Sequence, residues 1–145
     1  AGVTPGRPYI LVPLPLRSRP FLFATPRAPS ICSASRKVLD MLEASPACRD
    51  QLAYNARYCR AQMQANGFSI PAGDHPIVPV MLGDAVLAQK MSERLLELDI
   101  FAIGFFYPVV PKGKARIRVQ ISAGHTKANL DKAVAAFATA RDELA

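Results

Sequence analysis

The sequence has no run of roughly 18 apolar residues free of charge and proline, so no membrane-spanning helix is expected. It has no lysine-rich head leading into an apolar stretch. Ala1 to Leu16 is broken by Pro5, Pro8, Pro13 and Pro15 and does not read as a signal peptide. There is no initiator methionine, which fits the expectation of a fragment. Cysteine is scarce and odd in number. Cys32, Cys48 and Cys59 form no Cys-x-x-Cys pair, so free thiols in a reducing compartment are expected rather than a disulfide scaffold. His75 and His125 stand alone, with no second ligand at metal spacing, so no metal site is expected. The aromatic-basic signature of an RNA-binding sheet is missing too. The net charge of +7 comes from Lys and Arg scattered along the chain. That pattern describes a solvated surface rather than a nucleic-acid face.

What is present is a chain of 145 residues, half of them hydrophobic, enough for one domain with a core. Residues 1–28 carry prolines at 5, 8, 13, 15, 20 and 26 and read as irregular or extended, with a short strand within Arg17 to Phe23. Pro29 suits the first turn of a helix running to Ala44, with Ile31, Val38, Leu39 and Leu42 on its apolar face. Ser45–Pro46 restarts a helix as N-cap and first turn. Leu52, Ala56, Cys59 and Met63 mark its buried stripe, and Asn66–Gly67 stops it. Phe68 to Pro71 and Ile77 to Leu82 read as strands. Asp84 caps a helix with Ala88, Met91, Leu95 and Leu98 inward. Ile100 to Phe106 reads as a strand, Pro108, Pro111 and Gly113 make a loop, and Ala115 to Ile121 is the clearest strand. Thr126 caps a last helix with Leu130, Val134 and Phe137 inward. This order predicts an α+β unit, a small antiparallel sheet with helices packed on one face. No internal repeat is visible.

The strand Ala115-Arg116-Ile117-Arg118-Val119-Gln120-Ile121 alternates in character. Ile117, Val119 and Ile121 point one way, under the helices, and Arg116, Arg118 and Gln120 point the other. A face with two arginines meets either water or an anion, and the guanidinium fork matches a carboxylate in bidentate geometry. Spacing alone leaves both open. The flanking residues say more. The segment from Gly104 through Phe106-Tyr107-Pro108-Val109-Val110-Pro111-Lys112-Gly113, the arginine strand and Ser122-Ala123-Gly124-His125-Thr126 resembles the C-terminal signature of the α-oxoamine synthases. These are fold-type-I pyridoxal-phosphate (PLP) enzymes. Arg17-Ser18-Arg19-Pro20-Phe21-Leu22-Phe23 and Asp74-His75-Pro76-Ile77-Val78-Pro79-Val80 match as well, and the resemblance covers about residues 17–145.

The resemblance implies a division at residue 28. Residues 1–28 would be linker and remnant of a large PLP-binding domain, and 29–145 a small C-terminal domain with the interdomain helix. Arg118 matches the arginine that binds the carboxylate of the amino-acid substrate in this family. Ala24 and Thr25 match the polar pair that reaches the cofactor phosphate of the partner subunit in a homodimer. Thr25 keeps a hydroxyl, Ala24 has none, and Pro26-Arg27 replaces the usual serine-leucine. The family's Schiff-base lysine, the aspartate on the pyridine nitrogen and the stacking histidine fall upstream of Ala1, so no catalytic residue is assigned here. The Tyr107 lead-in resembles the branch that joins glycine and acetyl-CoA to 2-amino-3-ketobutyrate and CoA, a step in threonine breakdown to glycine. Sibling 8-amino-7-oxononanoate and 5-aminolevulinate synthases share the arginine strand, and a non-catalytic remnant or interaction domain is the alternative from another class. A bacterial cytoplasm or a mitochondrial matrix fits the free thiols, with no nucleic-acid or membrane partner implied.

Overall fold

The computed structural model describes residues 6–19 and 28–144. Contacts divide the chain into two compact units, Ala1–Pro46 and Ala47–Ala145. The first unit holds α1 (Pro8–Leu11), α2 (Leu14–Arg17) and α3 (Pro29–Ala44). The two short helices correct the expectation of irregular or extended chain across this proline-rich stretch. Each helix has a proline within its first turn, where the missing amide costs no hydrogen bond. The short strand expected within Arg17 to Phe23 is not present at Arg17, which ends α2. Its remaining part, from Pro20, lies outside the described residues. Helix α3 has the expected bounds, and Ile31, Val38 and Leu39 on its apolar face are exposed.

The second unit holds α4 (Ala47–Ala65), β1 (Ile77–Gly83), α5 (Ala85–Glu97), β2 (Ile103–Phe105), β3 (Ala115–Gln120) and α6 (Lys127–Leu144). The sheet order is β1-β3-β2, antiparallel throughout, so the arginine strand is central. Pro79 sits in β1, an edge strand, where a missing amide is tolerated. Helices α4, α5 and α6 carry the core against one face. Met63, Val78, Val80, Leu95, Ile117 and Phe137 are completely buried, and Phe137 meets Phe68 edge-on at 5.8 Å between ring centroids.

Local chemistry sets the element ends. Gly67 at φ 82° closes α4 in a Schellman arrangement, with Phe68 N–H donating to Met63 O and Gly67 N–H to Gln64 O. Asp84 caps α5 by accepting from Leu87 N–H at 2.8 Å. Thr126 Oγ1 accepts from Asn129 N–H, while Asn129 Oδ1 accepts from Thr126 N–H, a reciprocal cap at the start of α6. Two expected strands are shorter than the sequence suggested. Phe68 to Pro71 contributes only a single bridge, Ser69 to Met81. Ile100 to Phe106 shrinks to three residues because Ile100 N–H still closes the helix end on Leu95 O and Phe106 O already accepts from Val109 and Val110. A Cβ on Gly104 would meet Ala88 O at 3.0 Å, so β2 approaches α5 closely, and Ser92 Oγ–H donates to Ala102 O at 2.6 Å beside it.

The cysteines are free, Cys32 and Cys48 exposed and Cys59 buried. Burial pushes the Cys59 thiol up to about 11 against a smaller opposing pull from Arg60. A raised thiol pKa means that the unfolded chain loses this proton first, so the stability held by neutral Cys59 is present below pH 9.0 and is lost as pH rises through about 11. No helix among the described residues is long and apolar enough to cross a membrane. Iodoacetamide at pH 8 is expected to label Cys32 and Cys48 in the native chain and to spare Cys59 until denaturant is added, read by peptide mass spectrometry. Phe137→Ala is expected to cost about 3–5 kcal/mol in urea unfolding, since it empties a fully buried site.

Candidate functional site

Strand β3 presents Arg116, Arg118 and Gln120 on the face away from the helices, while Ala115 and Ile117 are buried on the other. Register fixes the neighbours. Arg118 lies opposite Pro79 of β1 and Ile103 of β2, and Arg116 lies opposite Met81 and Phe105. Neither arginine has a hydrogen-bond or ion-pair partner among the described residues. The Arg118 guanidinium lies 5.7 Å from the centroid of the Phe105 ring. Both arginines line a cleft of about 550 Å³, walled by the loop Pro71 to His75 and by Val109 and Val110. Val110 is buried and anchors the loop before β3, while its neighbour Val109 is exposed.

The cleft wall is held from beneath by a residue that sequence reading passed over. Arg60 on α4 is 9% exposed and donates from Nη1 to Pro71 O at 3.0 Å and from Nη2 to His75 O at 2.8 Å and Ile77 O at 3.0 Å. A buried cation is costly unless its donors are used; three of the five N–H groups meet carbonyls, and Nε is the one buried nitrogen of the group with no acceptor. Asn55, 2% exposed on the same helix, does the equivalent at the other turn. Its Nδ2 donates to Ser122 O and His125 O, both at 2.9 Å, and Gln51 Nε2 donates to its Oδ1. The only hint in the sequence was polar side chains beside the apolar stripe of Ala56, Cys59 and Met63.

The histidines serve turns. His75 Nδ1 accepts from Ile77 N–H at 3.1 Å, and His125 Nδ1 accepts from Ser122 N–H at 3.2 Å. Tyr107 is exposed, with Lys112 Nζ at 5.3 Å from its ring centroid. Ala24, Thr25 and Arg27 lie outside the described residues. No lysine lines the cleft, so it offers no amine to which PLP could attach. Among the described residues no cluster of His, Cys, Asp and Glu could hold a metal. Two guanidinium groups side by side can accept a carboxylate in this cleft, whose wall also carries Asp74 and His75.

Comparison with known proteins decides the family. The model for aminotransferase class I and II matches residues 9–137. The chain belongs to that family. It is 53% identical over 136 residues to 2-amino-3-ketobutyrate coenzyme A ligase of Escherichia coli K12, covering 94% of this chain and 34% of the relative. The mitochondrial protein of the same name from Mus musculus is 48% identical, with 94% and 33% covered. The 8-amino-7-oxononanoate synthase of Symbiobacterium thermophilum is 43% identical over 88% of the chain and 33% of the relative. Serine palmitoyltransferase solved with a PLP internal aldimine superposes with a TM-score of 0.85 at 27% identity, over 92% of this chain and 34% of that one. The chain spans about a third of the length of the curated relatives it matches. The shared fold agrees with the α+β small domain expected from the strand and helix order.

Arg60→Met is expected to strip three carbonyls of their donor and to cost about 2–4 kcal/mol by chemical denaturation. Faster hydrogen exchange at Ile77 N–H should accompany the loss; unchanged exchange there would show that the loop does not depend on Arg60.

Proposed function

We propose that this chain is the C-terminal, substrate-clamping part of a PLP-dependent acyltransferase. The parent enzyme joins glycine and acetyl-CoA to give 2-amino-3-ketobutyrate and CoA, and runs in reverse. The observation that carries the reading is Arg118, unpaired on the central strand and open to the cleft, in a chain 53% identical to a ligase of that name. Residues 29–145 form the small domain with its interdomain helix, and residues 1–28 belong with the large domain that holds the cofactor. Ala24 and Thr25 mark the position that reaches the cofactor phosphate of the partner subunit in a homodimer. The parent works in a bacterial cytoplasm or a mitochondrial matrix, following relatives of both kinds.

The chain's own contribution is positional. Arg118 offers two parallel N–H donors to the glycine carboxylate and so fixes which way the Cα–H bond points. The loop Pro71 to His75, held by Arg60, and the loop anchored by Val110 wall the bound amino acid and keep water from the carboxylate's other side. PLP, when bound by the rest of the protein, supplies the electron sink for loss of the Cα proton. In the sum of the reaction a carbon–carbon bond forms, the thioester bond breaks, and the proton lost from glycine leaves with CoA.

In the full-length protein, Arg118→Gln is expected to lower kcat/KM for glycine on the order of 100-fold, mostly through KM, as a charge-assisted clamp is lost. An unchanged KM for glycine would sink the clamp. A substrate panel read by CoA release separates this reading from the sibling synthases, because the proposed enzyme should prefer acetyl-CoA to longer or acidic acyl-CoAs. The 145-residue chain by itself, mixed with PLP, glycine and acetyl-CoA, is expected to give no CoA release above the blank.

A further inference from the structure

Resting on the reading of Arg118 as a carboxylate clamp, we propose that Phe105 is the positioning residue that holds the Arg118 guanidinium in its working orientation. Arg118 is exposed and ends in a long flexible stem, so a clamp built on it needs something to limit its rotation. No carboxylate, amide or carbonyl among the described residues does so. A hydrogen-bonding partner would limit rotation only by consuming some of the N–H donors that the substrate needs. An aromatic face attracts a cation without occupying any N–H, and the Phe105 centroid lies 5.7 Å from the guanidinium carbon.

A second observation points the same way. The polar face of the sheet carries two adjoining hollows. One, of about 550 Å³, is walled by the loop Pro71 to His75 and Val109. The other, of about 460 Å³, is walled by Phe101, Ile103, Ser122 and His125. Arg118 and Phe105 are the two residues that line both. The ring and the guanidinium together make the ridge between the hollows. Without the ring, the arginine head is free to lie in either hollow, and in one of them it faces away from the substrate. The backbone supports this placement. Phe105 sits in β2 opposite Arg116, diagonal to Arg118 on the same face, and Gly104 lets β2 press onto α5 so that the ring's height is fixed.

The test uses the full-length protein with Phe105→Leu, Phe105→Tyr and Arg118→Gln, each checked by thermal unfolding. Phe105→Leu keeps apolar volume and removes the aromatic face. It is expected to raise KM for the amino acid about 2- to 5-fold, the range of an exposed cation–aromatic contact, while KM for the acyl-CoA stays put. Phe105→Tyr is expected to restore the wild-type value. If Arg118→Gln raises the amino-acid KM but Phe105→Leu does not, or raises both KM values alike, the positioning role is overturned and the clamp stands. If Tyr fails to restore the Leu variant, the aromatic face is not the cause and the role is again overturned. If Arg118→Gln itself leaves the amino-acid KM unchanged, the clamp reading fails and the role of Phe105 falls with it.

Discussion

The cleft depends on a buried cation that has no anion. Arg60 rises from the middle of α4, among side chains completely shielded from water, and spends its guanidinium on three backbone carbonyls of the segment leading into β1. A loop crossing a helix turns carbonyls inward, and buried carbonyls need donors. Asn55, five residues earlier on the same helix, supplies donors to the turn leaving β3. Because β1 and β3 are antiparallel, with Ile77 facing Gln120, the two pinned segments lie at the same end of the sheet. One helix thereby fixes where the central strand ends and how the loop beside it is walled.

From that constraint the character of the polar face follows. The core side of β3 is sealed by helices, so every second residue must face the other way, and two of those are arginines. Elsewhere in the unit, Arg94 and Arg141 find carboxylates. Arg94 is held by Glu143 at 2.5 Å and by Glu97 at 2.6 Å, which keeps its own proton tight and holds the Glu143 carboxyl below the usual range. Those pairs are exposed and add little to stability. Arg116 and Arg118 have no such partner among the described residues and line the cleft.

Division of labour is the other theme. In the proposed reading the chain holds and aims a carboxylate, and no lysine lines the cleft. A relative about three times as long is 53% identical over 136 residues, and a solved serine palmitoyltransferase shares the fold.

Much of this could be read from residue order. The stripe Ala56, Cys59, Met63, the caps at Asp84 and Thr126, the stop at Gly67 and the alternation of β3 follow from side-chain periodicity and local hydrogen bonding, which act over a few residues. The long motif around Arg118 identified the family for the same reason, because it is contiguous. The failures were of other kinds. The proline-rich start was taken for extended chain because proline breaks helices inside but is welcome in their first turns, and nothing local said which turn it would occupy. Phe68 to Pro71 and the ends of Ile100 to Phe106 had strand-favouring residues but no strand to pair with. The role of Arg60 was hidden because its partners are carbonyls 11 to 17 residues away, and carbonyls have no signature in a sequence. The sequence by itself determined the four long helices, the central strand and the family. Only the tertiary structure decided which arginine is buried, which is free, and which ring stands beside the free one, because those depend on contacts between segments that are distant along the chain.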